Sequence, residues 1–353
     1  MKIGILTFTN GTNIGQRLQN YALQETLKHY ADEVYTIRQR EPYSAFKLLK
    51  MRVKKFLIGL KDLRGMGEER KRETLFREFN KKNINFYGKK LDFYGDNTWI
   101  ADEFDAFVVG SDQVWNPRSP YVGNNFFLEF ARTKQRYTYA PSFSVDDLPK
   151  NVVPLYKQRL MGFSDISVRE DRGAEIVQNV TDRKSTVVLD PTLLIDRNVW
   201  DEIREPFEEI DKKDYALCVF LGTTDIDSLQ SLIEKDFIVI SNTTPISPAQ
   251  FLDLVSNASV VLTDSYHVTI FSVIYHVPFI NFKRTGTRND MSSRFKTLYR
   301  ELGIKNRGWE YLEHHMDEIY DMSFGEIEEA LAKEKERSIA FLNRTIGKKA
   351  GSK

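Results

Sequence analysis

Short runs of consecutive apolar residues alternate with stretches of helical spacing along most of this 353-residue chain. Uninterrupted apolar runs are typical of parallel strands that are buried on both faces. Their alternation with helices predicts βαβ units and doubly wound sheets. The predicted strands are 2–8, 33–37, 106–110, 136–139, 165–168 and 187–189, followed by a second series at 215–221, 237–240, 259–262 and 279–282.

A proline turn at Asp190-Pro191 and a charged stretch over 196–213 separate the two series of strands. The fold class predicted is α/β, with two Rossmann-like domains facing a central cleft. We expect an N-terminal domain over 1–195, a C-terminal domain over 196–325, and a C-terminal helix and tail over 326–353. Ligands of such sheets bind beyond the carboxyl ends of the strands, so the residues that follow each strand are the first to inspect.

The net charge of +1 excludes a globally basic nucleic-acid binder, but it hides one basic block. Residues 46–90 contain 15 Lys and Arg against 5 Asp and Glu, a surplus of ten, so the remainder carries about −9. Within the block, 46–63 has the pattern of a basic amphipathic helix. Two interpretations remain open: a helix packed on its own domain, or a helix that docks on an anionic membrane or a lipid-linked acceptor. No module of stacking aromatic residues accompanies the charge, so nucleic acid is not an expected partner.

The single cysteine, Cys218, excludes a disulfide framework and a cysteine-rich metal site, and it favours a reducing compartment. No targeting segment or membrane-spanning stretch is visible, so we expect a cytoplasmic protein, peripheral at the inner face of the membrane if 46–63 docks there. Walker A, HExxH and Gly-x-Ser-x-Gly motifs are absent, as are acidic clusters directly after strands. A transferase that needs neither metal nor cofactor is the expectation.

The loop after the first predicted strand is small, polar and glycine-containing, and a helical pattern follows it. Backbone N–H groups in such a loop can approach an anion at a helix N-terminus. Asn10, Asn13 and Gln16 are its candidate acceptor-binding residues, and a plain turn with an asparagine cap is the alternative.

A second cluster of polar residues follows the predicted strand at 106–110. Aromatic faces stack on sugar rings, and carboxylate and amide groups satisfy sugar hydroxyls, so this corner predicts a sugar site. A turn stabilised by its own side chains is the alternative. The candidate acceptor-binding residues here are Ser111, Asp112, Gln113, Trp115 and Asn116.

Arg169 and His267 are the candidate catalytic residues. Arg169 follows a predicted strand, where its guanidinium could clamp a carboxylate or phosphate, or could form a structural ion pair with Glu170 or Asp190. His267 falls in the first turn of a helix that follows another strand, where an imidazole N–H can donate to an anion; a satisfied core histidine is the alternative.

These motifs occur in an order that resembles the polysaccharide pyruvyl transferase family. The resemblance spans residues 1–300 and is carried by the motifs Gly11-Thr12-Asn13-Ile14-Gly15, Phe104 to Trp115, Tyr139 to Phe143, Ser167 to Glu170, Leu189 to Leu194, Ser247 to Phe251 and Asp264 to His267. It implies a GT-B-like arrangement and transfer of pyruvate from phosphoenolpyruvate to hydroxyls of a cell-surface polysaccharide precursor, as a ketal. The acceptor would be a sugar or a lipid-linked oligosaccharide, as in exopolysaccharide or capsule synthesis.

The resemblance also implies a donor site. It places Arg169 and His267 at donor-binding positions, and it puts Ser265 where some members carry an arginine. Two other functions stay open: a metal-independent GT-B-like glycosyltransferase that uses a nucleotide sugar, and a non-catalytic glycan-binding homologue. The expected donor-binding residues are Arg169, Ser265, Tyr266 and His267, with Lys283, Arg284 and Arg294 as substitutes for the missing arginine.

Overall fold

The computed structural model describes residues 1–44, 46–51, 53, 63–208, 214–230, 232–285 and 292–347. The strands are β1 (Lys2–Leu6), β2 (Glu33–Gln39), β3 (Phe86–Leu91), β4 (Ala106–Val109), β5 (Arg136–Thr138), β6 (Ser167–Val168), β7 (Thr186–Val187), β8 (Tyr215–Val219), β9 (Asp236–Ile240), β10 (Val260–Thr263) and β11 (Phe279–Asn281). The α-helices are α1 (Ile14–Leu27), α2 (Leu63–Asn83), α3 (Val153–Leu160), α4 (Asp171–Thr181), α5 (Arg197–Ile203), α6 (Ile226–Gln230), α7 (Pro248–Asn257), α8 (Tyr266–Tyr275), α9 (Ser292–Leu302), α10 (Trp309–Leu312) and α11 (Phe324–Leu342).

The first half of the molecule is built on a parallel sheet of order β3-β2-β1-β4-β5. The short parallel pair of β6 and β7 lies beside β5. The hydroxyl of Thr138 in β5 accepts a hydrogen bond from the backbone N–H of Ser167 in β6 at 2.7 Å. β1 and β4 are buried along almost their whole length, as their apolar sequences predict. β3 was not predicted from the sequence, because this edge strand carries exposed residues at 88–90 inside the basic block.

The second half holds a parallel sheet of order β11-β10-β8-β9. β8, β10 and β11 are fully buried. The carboxyl ends of parallel strands lie at one edge, so each sheet presents one row of loops for ligand binding. The α/β fold class, with two Rossmann-like sheets, is therefore confirmed; the residue limits given for the domains stay a prediction.

Helix α1 lies between the two halves and is buried on nearly every side. The ring of its Tyr21 packs 5.6 Å from that of Trp200, whose other neighbour is Phe271 of α8 at 5.0 Å. These side chains belong to one apolar cluster that continues into the second sheet. The two halves therefore share a core behind the cleft, and the N-termini of α1 and α8 are held in fixed relation.

Helix α11 follows the second sheet but packs on the first. Phe341, Leu342 and Ile346 share an apolar cluster with Ile3 and Ile5 of β1. The hydroxyl of Ser338 also accepts a hydrogen bond from the backbone N–H of Leu189 at 3.0 Å. The core of the first half thus includes residues from the C-terminal helix.

Residues 46–51 and 53 of the basic block are helical, and 52 and 54–62 lie outside the described residues. Leu48 is partly buried, but the other described apolar side chains face solvent: Phe46 is 66% exposed and Leu49 is 58% exposed. The interpretation of 46–63 as a helix packed on its own domain therefore receives no support from 46–53. No helix in the described part of the chain has the length and apolar character needed to cross a bilayer.

Candidate active site

A cavity of about 430 Å³ lies between the carboxyl ends of the two sheets. The first half supplies the loop from Asn10 to Gln16, together with Asp112 and Gln113. The second half supplies the N-terminus of α8, and three arginines complete the lining: Arg72, Arg284 and Arg294. Among the described lining residues Asp112 is the one carboxylate, so the cavity carries an excess of positive charge and is suited to an anion.

The loop that precedes α1 is anchored from below by a buried arginine. The Arg17 guanidinium donates to the carbonyl oxygen of Thr9 and, at 2.7 Å, to that of Gly11. Gly11 adopts a φ of +69°, a conformation that favours glycine. Asn13 caps α1 by accepting from the backbone N–H of Gln16 at 3.1 Å. These contacts fix the loop that lines the cavity.

The N-termini of α1 and α8 approach each other closely at the cavity. A Cβ atom built on Gly15 would lie 2.4 Å from Nδ1 of His267, so only a glycine allows the imidazole to lie against α1. His267 is the second residue of α8, as the sequence predicts. Two helix N-termini therefore face the same space, and each favours negative charge.

Behind the cavity wall, Arg169 forms a fully buried network. Its Nη1 atom lies 2.9 Å from Oδ2 of Asp190 and donates to the hydroxyl of Ser111 at 3.2 Å. That hydroxyl donates to the same carboxylate oxygen at 2.9 Å. Burial alone would raise the pKa of Asp190, but His267, Arg169 and the hydroxyl of Thr192 lower it well below its usual range. Asp190 therefore stays ionised, and the predicted alternative of an Arg169–Asp190 ion pair is what the structure contains.

Asp190 also faces the imidazole. Its Oδ2 atom lies 3.6 Å from Nε2 of His267, which is too long for a hydrogen bond but close enough for an electrostatic contact between the two side chains. Next to this pair, the ring of Tyr266 lies 4.8 Å from the Arg169 guanidinium and 5.5 Å from that of Arg294. Tyr266 thus separates the buried arginine from one that lines the cavity.

A second Arg–Asp pair lies on the opposite wall. The Asp264 carboxylate accepts from the backbone N–H groups of Leu221 and Gly222, both at 2.8 Å. Arg284 donates to the Asp264 carbonyl oxygen at 2.9 Å and lies 3.3 Å from its carboxylate. The Arg284 side chain is 14% exposed and lines the cavity. The Arg284 guanidinium is thus held beside Ser265, the position of the missing arginine.

Lys283 was predicted as another substitute for the missing arginine, and this prediction is wrong. Its side chain is 83% exposed and pairs with Glu310 at 2.8 Å, outside the cavity. The physical reason is the alternation of side chains in extended chain: successive residues point to opposite sides. Arg294, by contrast, is buried and lines the cavity; burial and the nearby Arg169 lower its pKa to about 10.

Among the predicted acceptor residues, Asn10, Asn13, Gln16, Asp112 and Gln113 line the cavity. Ser111 belongs to the Arg169 network. The side chain of Asn116 instead stabilises its own turn, accepting from the backbone N–H of Arg118 at 2.9 Å.

The prediction that Trp115 offers its face to a sugar is wrong. Its indole is fully buried and lies parallel to Phe127 at 5.6 Å, and its Nε1 donates to the Phe126 carbonyl oxygen at 2.9 Å. Because both its faces and its polar atom are used inside the core, this tryptophan holds the polar corner in place and does not touch a ligand.

Arg72 of α2 lines the cavity but was not singled out from the sequence. It is buried, donates to the carbonyl oxygen of Thr12 at 2.9 Å, and also donates to that of Thr244. It therefore joins the loop of the first half to a loop of the second half. The only sequence signal was its membership of the basic block, since both partners are backbone atoms that are distant along the chain.

Comparison with known proteins agrees with this architecture. A family model described as polysaccharide pyruvyl transferase matches residues 13–285. No curated protein sequence matches the chain significantly.

Among solved structures, the UDP-GlcNAc 2-epimerase of Methanocaldococcus jannaschii, in complex with UDP-GlcNAc and UDP, matches with a TM-score of 0.52 and 15% identity, covering 98% of this chain and 100% of that one. The UDP-N-acetylglucosamine 2-epimerase of Rickettsia bellii matches with a TM-score of 0.51 and 10% identity, covering 98% of each chain. A glycosyltransferase of Rickettsia africae matches with a TM-score of 0.50 and 10% identity, covering 99% of this chain and 96% of that one. At these identities the similarity shows a shared GT-B-type fold.

Proposed function

Because the chain belongs to the polysaccharide pyruvyl transferase family, we propose that it transfers the pyruvyl group of phosphoenolpyruvate to hydroxyls of a sugar in a cell-surface polysaccharide precursor, forming a ketal. The observation that carries this proposal is the charge of the cavity. Three arginines, His267 and two helix N-termini surround about 430 Å³. Phosphoenolpyruvate is a small anion with a phosphate and a carboxylate, and it needs such a set of donors.

The donor cations we propose are Arg284 and Arg294. Some members of the family carry an arginine at the position of Ser265, and Arg284 is held beside that position by Asp264. Arg294 lines the cavity on the side of Tyr266. Arg284, in the loop after β11, would then replace the arginine that is missing at position 265.

The chemistry assigns roles to His267 and Asp112. A proton passes from His267 to the methylene carbon of phosphoenolpyruvate, and C2 becomes an oxocarbenium ion. A sugar hydroxyl attacks C2 and gives its proton to Asp112, the carboxylate of the described cavity lining. The bond from C2 to the phosphate oxygen then breaks, and the phosphate takes the proton from Asp112 and leaves as inorganic phosphate. A second hydroxyl adds to C2 and gives its proton to His267, which closes the ketal and restores both residues.

Asp190 supports this sequence without touching the substrate. Its ionised carboxylate faces Nε2 of His267 at 3.6 Å, an electrostatic contact that orients the imidazole for the proton transfer. The Arg169 pair keeps Asp190 charged. We therefore assign Arg169 a positioning role and not direct contact with the donor.

We also propose that the exposed apolar side chains of 46–53 dock on the inner face of an anionic membrane. Phe46 and Leu49 are exposed beside lysines, and 46–90 carries ten surplus positive charges. Apolar burial and attraction to anionic lipid act together in such helices. This placement suits an acceptor that is carried by a lipid.

Phosphate release from phosphoenolpyruvate, measured with a panel of free and lipid-linked sugars, tests the transfer. We expect release that depends on an acceptor and falls by about 10²–10⁴-fold in His267→Asn and Asp112→Asn. Thermal shift provides the matching binding measurement. Stabilisation by UDP, GDP or CMP but not by phosphoenolpyruvate would replace this proposal with a nucleotide-sugar glycosyltransferase, and a response to glycan alone would indicate a binding protein.

A further inference from the structure

A second cavity, of about 900 Å³, adjoins the first and is called the groove below. Asn10 borders both cavities. The groove is lined by the carboxyl ends of β2 and β3, through Arg38, Arg40 and Lys90, and by the residues that follow these strands. Because β2 and β3 are parallel to β1, the groove opens at the same edge of the sheet as the candidate active site.

The groove presents three cations. The Arg38 guanidinium stacks 4.8 Å from the ring of Phe86, and its buried Nε atom has no hydrogen-bond partner. Arg40 pairs with Asp92 at 2.8 Å, but both side chains are half exposed or more, so this pair is weak and an anion can compete for the arginine. Burial raises the pKa of the Glu41 carboxyl, and the nearby charge of Lys90 offsets part of this increase. With three cations against the carboxylates of Glu41 and Asp92, the described lining of the groove keeps an excess of positive charge.

Aromatic rings stand next to these cations. Tyr43, Phe93 and Tyr94 line the groove, and Tyr94 is 83% exposed. The Phe93 and Tyr94 rings lie 4.7 Å apart in an edge-to-face arrangement, and the Tyr94 hydroxyl donates to the Pro42 carbonyl oxygen at 3.3 Å. An exposed but fixed aromatic surface beside cations suits a sugar ring or an acyl chain that adjoins an anion.

One end of the groove leads to the exposed apolar side chains described above. Leu48 lines the groove, and Phe46 and Leu49, next to it in the same helical segment, face solvent. The groove lining thus combines an apolar residue, the three cations and the polar side chain of Asn10, which also borders the active site. This combination suits a molecule with an apolar tail, an anionic link and a sugar.

We propose that the groove binds the phosphate or diphosphate of a glycosyl phosphate acceptor, with Arg38, Arg40 and Lys90 on the anion and the sugar directed past Asn10 to His267. The inference rests on the proposed function, because it names the class of acceptor for that site. The anion can come from a lipid diphosphate headgroup or from a free sugar phosphate. Both sources share the chemistry that the groove recognises.

Isothermal titration calorimetry of the full chain tests the groove without requiring turnover. The probes are inorganic pyrophosphate and geranyl diphosphate, and the variants are Lys90→Gln and Arg38→Gln. Lys89→Gln is the matched control, because Lys89 is adjacent in the same strand but pairs with Glu103 at 2.8 Å outside the groove. Arg284→Gln is the variant that weakens anion binding in the active-site cavity, which Arg284 lines.

We expect Lys90→Gln and Arg38→Gln each to weaken pyrophosphate binding roughly three- to tenfold, with little change in Lys89→Gln. Tighter binding of geranyl diphosphate than of pyrophosphate supports a lipid-borne acceptor, and equal binding supports a free sugar phosphate. Equal losses in Lys89→Gln and Lys90→Gln would overturn the proposal, as would a loss confined to Arg284→Gln or no binding of either probe.

Failure of the groove and failure of pyruvyl transfer give different results. If the groove is wrong but the transfer is right, phosphoenolpyruvate still stabilises the protein, and Lys90→Gln does not change the preference for phosphorylated over free acceptors. If the transfer is wrong, phosphoenolpyruvate does not bind, while the response of pyrophosphate binding to Lys90→Gln still reports on the groove.

Discussion

Each wall of the cavity contains an Arg–Asp ion pair, and the two pairs differ in how deeply they are buried. In the first half, Arg169 follows β6 and pairs with Asp190, which follows β7. In the second half, Asp264 follows β10 and pairs with Arg284, which follows β11. The first pair is fully buried, whereas Arg284 remains partly exposed and lines the cavity.

This difference separates structural from ligand-binding arginines. A buried guanidinium that is already paired with a carboxylate stabilises the wall and keeps Asp190 ionised beside His267. A guanidinium that is anchored by a carboxylate but lines the cavity can contact a bound anion. Arginine after a strand is therefore not a sufficient signal for ligand binding, because burial decides which role it takes.

Breaking the buried pair should have the largest effect on stability. We expect Arg169→Met to lower the free energy of unfolding by about 3–5 kcal/mol, because it leaves the Asp190 carboxylate buried without its partner. Denaturant unfolding followed by circular dichroism measures this change.

The double variant Arg169→Met with Asp190→Leu controls for this interpretation. Since it removes both charges, it should recover a large part of the lost stability while activity stays low. A stable Arg169→Met protein with weak donor binding would contradict the assignment and return Arg169 to the donor site.

Removing the arginine that lines the cavity should affect binding more than stability, because the Asp264 carboxylate keeps its two backbone N–H donors. We expect Arg284→Gln to weaken phosphoenolpyruvate binding by roughly 10- to 100-fold, the effect of one charge-assisted hydrogen bond. Titration of the donor by calorimetry measures it. Lys283→Gln is the matched control, since Lys283 pairs with Glu310 outside the cavity. An equal loss in both variants would show that only the overall charge matters.

Glu301 of α9 extends the comparison to a buried carboxylate that lacks a well-placed arginine. Its contact with Arg300 is 3.6 Å, and burial together with Glu334 raises its pKa to about 8. A raised pKa means that stability decreases as pH rises from about 4.3 to about 8, because in this range the unfolded chain loses a proton that the folded state still holds, and this favours unfolding. Asp190, whose pKa is lowered, behaves in the opposite way and loses its contribution only in acid.

We expect Glu301→Gln to be more stable than the natural chain at pH 9 by at most about 5 kcal/mol, and about equally stable at pH 4. Thermal unfolding across this range gives the test. A difference that does not change with pH would indicate a packing effect and would rule out titration of Glu301 as its cause.

The smallest effect is expected from changing Gly15, where α1 contacts His267 of α8. Gly15→Ala places a Cβ atom 2.4 Å from Nδ1 of His267, so the imidazole must move away from α1. We expect turnover to fall by roughly 10- to 100-fold with little change in thermal stability. Gly67→Ala is the control, since a Cβ there meets nothing within 4 Å. Full activity of Gly15→Ala would show that the His267 position is not critical.

The fold could be predicted because buried parallel strands are continuous apolar runs. β1, β4, β8 and β10 all have this character and were predicted. β3 was missed, since an edge strand with exposed lysines has no such run. Local pattern also placed His267 in the first turn of α8.

The arrangement of the site could be predicted only in part. The choice between Lys283 and Arg284 depends on which of two neighbouring side chains points into the cavity. Trp115 looked accessible because polar residues surround it in sequence, but the core covers it. Arg72 reaches carbonyl groups distant along the chain, and no local pattern encodes such a contact.

The return of α11 to the first sheet has a consequence for synthesis on the ribosome. β1 is synthesised early. Phe341 and Leu342, which share an apolar cluster with Ile3 and Ile5 of β1, are translated only after the whole second sheet. A nascent chain therefore holds an incompletely covered apolar surface while most of the protein is made. Final closure of the first half thus occurs late, so a truncated polypeptide that ends before α11 should require chaperones and should not assemble a working cleft.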